Sequence, residues 1–143
     1  MKPRHKTDLP RGTENVLVVD DDKAILRLCK IILESLGYKA VVQSCPEAAL
    51  AHFEKRPHQY DLVITDYEML PLNGARLASA ISRIRPDIPI IAHTGNPARA
   101  YRHETFRNVM EKPSSLKEMA VTIRQVLDYG SVPLDDAYMH HII

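Results

Sequence analysis

Cysteine is scarce in this chain: Cys29 and Cys45 are the only two among 143 residues. That is too few for a disulfide framework, and their spacing matches no zinc site. Long apolar runs are missing too. Runs such as Val16 to Val19 stop at four residues, against the roughly 20 that a membrane span needs. Residues 1–12 lack the apolar centre of a secretory signal. An excess of either charge is absent, since 19 Lys+Arg face 18 Asp+Glu. A net charge of +1 removes the bulk electrostatic case for a nucleic-acid or membrane partner. Solenoid repeats and low-complexity tracts are not found. What is there is an ordinary globular mixture, 45% hydrophobic and 26% charged, of one domain's length. The expectation is a soluble cytoplasmic domain.

Residues 1–14 read as a flexible arm, because Pro3, Pro10 and Gly12 interrupt a basic stretch. The folded domain is expected over 15–128, with a C-terminal extension over 129–143. Within the domain, β-rich runs alternate five times with helical patterns. Val16 to Val19 is an unbroken aliphatic run, as a strand buried on both faces requires. Ile25, Leu28, Cys29, Ile32 and Leu36 then form the apolar stripe of a first helix, with Gly37 as its C-terminal cap. Lys39 to Gln43, Leu62 to Thr65, Ile88 to Ala92 and Val109 to Glu111 read as the other strands. Ser44-Cys45-Pro46-Glu47 and Ser115-x-x-Glu118 read as capping boxes opening the second and last helices. A third helix follows Gly74, and a short fourth covers 97–106. The last helix has the stripe Leu116, Met119, Ala120, Ile123 and Leu127. Five consecutive βα units imply an α/β fold, a parallel sheet covered by helices on both faces. Such sheets hold ligands at the carboxyl ends of their strands.

The residues at those ends carry chemistry. Asp20, Asp21 and Asp22 follow the first strand, Asp66 the third, Thr94 the fourth, and Lys112-Pro113 the fifth. Crowded carboxylates repel one another unless a hard cation joins them, and Mg²⁺ suits a site of a few oxygens. An amine, a hydroxyl and a carboxylate nucleophile beside that cation are the parts needed to take up a phosphoryl group. Asp22 reads instead as the cap of the first helix. Cys29 lies on an apolar stripe and reads as core, and the seven histidines form no ligand spacing.

VLVVDDD (16–22), VITDYEM (63–69), AHTG (92–95) and EKP (111–113) together resemble the receiver domain of two-component response regulators. The resemblance runs from about Asn15 to Asp128. It implies a doubly wound, flavodoxin-like sheet of strand order 2-1-3-4-5. It further implies Asp66 as phosphoacceptor, with Asp20, Asp21, Asp66 and the backbone carbonyl of Glu68 as Mg²⁺ ligands. Thr94 corresponds to the switch hydroxyl and Lys112 to the phosphate-pairing amine. Four features depart from the pattern. Leu70 stands where a proline is usual, with Pro71 one residue later. Thr94 and Lys112 are only 18 positions apart, which shortens the fourth helix. Val109 replaces an aromatic ring on the fifth strand, and the chain continues past the last helix.

The functional expectation is a stand-alone phosphoacceptor, not a conventional enzyme. It takes phosphate from a histidine kinase or phosphotransfer protein and switches the binding of a downstream protein. A receiver fragment of a longer hybrid kinase or cyclase is the nearest alternative. A Mg²⁺-dependent phosphatase with an aspartyl nucleophile is the rival from another class. With no ring at Val109, activation is expected to be read through residues 95–107, whose Arg99, Arg102 and Arg107 would contact the partner. Leu134, Tyr138 and Ile142 suggest that the extension packs on its own domain or on a second copy, which allows a homodimer.

Overall fold

The structure is a computed structural model and describes residues 8–129. Five parallel strands form one sheet, β1 (Asn15–Val19), β2 (Lys39–Gln43), β3 (Leu62–Asp66), β4 (Ile90–Thr94) and β5 (Asn108–Glu111). Their order is β2-β1-β3-β4-β5. The connecting helices are α1 (Lys23–Ser35), α2 (Pro46–Lys55), α3 (Gly74–Ile84) and α4 (Pro97–Ala100), and α5 (Leu116–Tyr129) follows β5. The flavodoxin-like fold with a short α4 is thus as expected.

Side chains alternate across the sheet, so each strand feeds two cores. Val16, Val18, Leu62, Ile64, Ile91 and Met110 pack with α1 and α5. Leu17, Val19, Val63, Ile90, Ala92 and Val109 pack with α2, α3 and α4. This is why β1 and β3 need unbroken apolar sequence, whereas edge strand β2 is only half-buried.

Several local expectations shift. On α1 the inward stripe is Leu26, Cys29, Leu33 and Leu36, one position round from the one anticipated. Ile25 and Ile32 flank it, and Leu28 is 51% exposed. Two apolar stripes run side by side on this helix, and the twist of the sheet selects between them. On α5, Val126 is buried and Leu116 is exposed. The second helix is capped by Cys45 rather than Ser44, without a side-chain hydrogen bond and with Pro46 inside its first turn. At α5 half of the expected capping box forms: Ser115 Oγ accepts from the Glu118 amide at 3.1 Å, while the Glu118 carboxylate accepts from the Ser115 hydroxyl at 3.4 Å. β4 begins at Ile90 because Pro89 has no N–H to pair, although its carbonyl accepts from the Val63 amide. Starting later, the strand carries His93 and Thr94 within it.

Gly37, at φ 97°, ends α1 in a Schellman turn, with Tyr38 N–H donating to Leu33 and Gly37 N–H to Glu34. The stretch expected as a flexible arm is attached over its last residues. Leu9 packs against the α1/α5 cluster, and Gly12 N–H donates to the Leu36 carbonyl. Arg124 on α5 grips Glu14 at 2.7 Å, Asp128 at 2.8 Å and the Arg11 carbonyl at 3.1 Å. The expected extension from residue 130 onward lies outside the described residues.

Candidate functional site

The strand order reverses direction between β1 and β3, and there the carboxyl ends of adjacent strands open a crevice. Asp20 leaves the end of β1, and its Oδ1 accepts from the Asp22 amide at 2.9 Å, which turns the chain into α1. Asp22 faces away and caps that helix, accepting from the amides of Ala24 and Ile25. Asp66 closes β3, and its Oδ1 accepts from the Glu68 amide at 3.4 Å. Carboxylate oxygens of Asp20, Asp21 and Asp66 all lie within 4.8 Å of one another. Asp20 and Asp66 are buried, and Asp21 is exposed at the mouth.

Lys112 reaches this cluster from the end of β5, with Nζ 2.7 Å from Asp20 Oδ2 and 3.2 Å from Asp66 Oδ1. Its approach is fixed by the bond from its own amide to the Thr94 carbonyl, 2.8 Å. Thr94 is buried at the end of β4, and its hydroxyl accepts from the Asn96 amide at 3.0 Å. All the residues named from sequence, Asp20, Asp21, Asp66, Thr94 and Lys112, therefore gather at one end of the sheet, with Glu68 following Asp66.

Burial, then the facing Asp20 carboxylate, raise the acid of Asp66 against the pull of Lys112. Burial works to lower the Lys112 ammonium, but its bonds to Asp20 and Asp66 raise it overall. Three carboxylates against the single ammonium of Lys112 leave the pocket short of positive charge. The three carboxylates form an all-oxygen donor set, which fits a hard divalent cation such as Mg²⁺.

Gly74 sets the loop beneath the acceptor position. Its amide donates to the Tyr67 carbonyl at 2.8 Å, and an added Cβ would collide with the Asp66 carbonyl oxygen. The intervening Leu70–Pro71 bond is cis.

Two features escaped the sequence reading. His93, on the strand next to Asp66, is 95% removed from solvent, and its Nε2 has no partner. Burial, then nearby Lys112, push its imidazole down to about 4. The only sequence signal was a polar residue directly after the run Ile90 to Ala92. The unfolded chain takes up a proton near pH 6.5 that the folded chain refuses until about 4. Stability should therefore fall with acid across that window, by at most about 3 kcal/mol from this residue. Urea melts of His93→Leu and wild type at pH 4.5 and 7 check this. The variant should show the shallower pH slope, and equal slopes would remove the claim.

The second feature is a bond across the fold: Tyr67 Oη lies 2.7 Å from His103 Nε2. Phe106 closes this aromatic group, 6.2 Å from the Tyr67 ring and 6.4 Å from that of His103. The residue directly after Asp66 thereby holds the segment that follows α4. The expected helix over 97–106 is realised only as Pro97–Ala100. Beyond Ala100, Phe106 is the next buried side chain, so no continuous apolar stripe supports further turns.

The family model of the response regulator receiver domain matches residues 16–124. The chain belongs to this family. Relatives of this receiver domain include the transcription factor SKN7 of Saccharomyces cerevisiae, 31% identical over 119 residues. That alignment covers 80% of the receiver chain and 19% of SKN7. The aerobic respiration control sensor protein ArcB of Escherichia coli is 28% identical over 127 residues, 85% of this chain and 16% of ArcB. The chain thus spans about a fifth of the length of these curated relatives. Among solved structures, a response regulator receiver domain protein from Clostridium thermocellum superposes with a TM-score of 0.74 at 26% identity. It covers 82% of this chain and 96% of its own. As a receiver, the chain is a component of two-component signalling. Among the described residues, no helix is long and apolar enough to cross a membrane.

Proposed function

We propose that this receiver domain acts as a stand-alone phosphoacceptor, taking a phosphoryl group onto Asp66. The observation that carries the reading is Lys112 held between Asp20 and Asp66 in a cluster of three carboxylates. In the transfer, an Asp66 carboxylate oxygen attacks phosphorus of a phosphohistidine on a partner kinase or phosphotransfer protein. The P–O bond to Asp66 forms as the P–N bond breaks, and the imidazole leaves with its electron pair. Lys112 donates to an oxygen of the arriving group, and the Thr94 hydroxyl turns from Asn96 to another. Asp20, Asp21, Asp66 and the Glu68 carbonyl would hold Mg²⁺. Its charge, when bound, offsets that of the phosphoryl oxygens. Leu28 and Ile31 on α1, 51% and 66% exposed, give the donor protein apolar surface on the helix that starts at the acidic cluster.

Acetyl phosphate with Mg²⁺ tests the reading: the intact mass should gain one phosphoryl group, and a beryllofluoride adduct should form only with Mg²⁺. Repeated turnover of phosphate esters would instead favour the phosphatase. The cation should also stabilise the fold. At ten times its dissociation constant, Mg²⁺ should add about 1.4 kcal/mol. Asp21→Asn should shrink that shift while leaving the metal-free protein at least as stable, since it removes one repelling charge. A full shift in the variant, read by thermal melting, would place the cation elsewhere.

Val109 packs in the α3/α4 core and brings no ring that could swing. Output is therefore assigned to residues 95–107, tied to the acceptor loop through Tyr67 and His103. Amide exchange with and without beryllofluoride should change most over 95–107 and little at Val109. Change centred on α1 instead would overturn this route.

A further inference from the structure

The shortness of α4 leaves one face of α3 without a cover. Along that face Arg76, Ser79, Ala80 and Arg83 follow one another at positions i, i+3, i+4 and i+7. Two arginines thus stand two turns apart, about 10 Å along the axis, with small side chains between them. They line a cavity of about 540 Å³ whose opposite wall is Tyr67 and His103. The same Tyr67, His103 and Asn73 line a second cavity of about 650 Å³, which carries Arg99 and Arg102 and ends at Asp21 and Glu68. The two cavities share Tyr67, Asn73 and His103 in their walls, and together they line the surface from α3 to the mouth of the acidic site, here called the groove.

The charge of this groove is not balanced internally. Arg99 is paired with Glu68 at 3.4 Å. Arg76, Arg83 and Arg102 have no carboxylate partner among the described residues. The α3 sequence, GARLASAISRI, contains no acid at all. Three exposed, uncompensated guanidinium groups around a trough with an aromatic centre call for an anionic occupant with some apolar surface. The Asp20, Asp21 and Asp66 cluster lies at one end of the trough. A uniformly charged nucleic acid laid along it would meet those carboxylates. A short segment with only a few negative charges would not.

We infer that this groove binds an extended acidic segment of a partner protein, with its carboxylates on Arg76, Arg83 and Arg102 and its apolar side chains over Tyr67 and His103. Alternate residues of an extended chain point the same way, about 6.7 Å apart. Alternating acidic and apolar residues therefore present carboxylates to one side at a spacing the long arginine side chains can follow. The inference goes beyond the phosphoacceptor reading and does not depend on it, because the groove is present in the unmodified chain.

The test uses the full chain and a fluorescein-labelled octapeptide, (Glu-Leu)4, followed by anisotropy. Saturable binding is expected, with amide shifts confined to α3, Tyr67 and residues 97–107. The double variant Arg76→Glu, Arg83→Glu should weaken it about tenfold or more. The control Arg27→Glu, Arg56→Glu changes net charge equally, away from the groove, and should stay within about twofold. All four positions are exposed, and melting curves confirm that both variants remain folded. Equal loss in the control pair would reduce the effect to bulk charge and overturn the site. Equal binding of (Gln-Leu)4 would deny the acidic requirement. Tighter binding of octathymidylate would assign the groove to nucleic acid instead.

Discussion

Asp66→Asn should abolish phosphoryl uptake and, at neutral pH, make the metal-free domain more stable. Both results come from one carboxylate. The amide oxygen is a poor nucleophile and carries no charge to draw a cation, so acetyl phosphate with Mg²⁺ should leave the mass unchanged. The gain in stability follows from burial and from Asp20, which raise the Asp66 acid above its unfolded value. The folded chain then holds a proton that the unfolded chain has already released, so ionised Asp66 costs stability as pH rises above about 4. Replacing it should raise the melting temperature at pH 7, and the gain should fade towards pH 4. Modification that survives in the variant would remove Asp66 as acceptor. A variant less stable than wild type at pH 7 would mean that Lys112 outweighs burial.

Gly74→Ala should be strongly destabilising. The added carbon would collide with the Asp66 carbonyl and stand 2.8 Å from Tyr67 Cα. These are backbone atoms, held by the Gly74 to Tyr67 hydrogen bond and by the pairing of β3. They cannot step aside as a side-chain tip can. Overpacking of this kind costs about 3 kcal/mol, or roughly 10 °C in melting temperature for a domain of this size. Because the strain falls on Asp66, phosphorylation should slow in the fraction that remains folded. Gly95→Ala is the matched control, since nothing lies within 4 Å of a Cβ there. Equal melting of the two variants would show that the loop yields.

The acidic site was legible because its residues stand at or just past the carboxyl ends of strands, and a strand buried on both faces announces itself as an unbroken aliphatic run. Val16 to Val19 and Leu62 to Ile64 fixed where Asp20 and Asp66 had to fall. Helix faces were harder to read. Leu26 and Leu28 lie 200° apart on a helix, and only the partner surface decides which turns inward. α4 was overextended because its length depends on where Phe106 finds a buried place, a long-range condition. The Tyr67–His103 bond joins residues 36 positions apart, and no local periodicity marks it. His93 was passed over because a histidine in a strand gives no sign of whether solvent reaches it.

The division of the core by the sheet bears on how such a chain can change over generations. Substitutions among Leu26, Leu33 and Ile123 touch one apolar layer, and those among Phe53, Leu77 and Ile81 touch the other. Each layer can drift in sequence without asking the other to repack. By strand alternation, Asp66 lies on the α1/α5 side with Ile64, and Thr94 on the α3/α4 side with Ala92. A group bridging these two side chains is where independently evolving halves are made to agree.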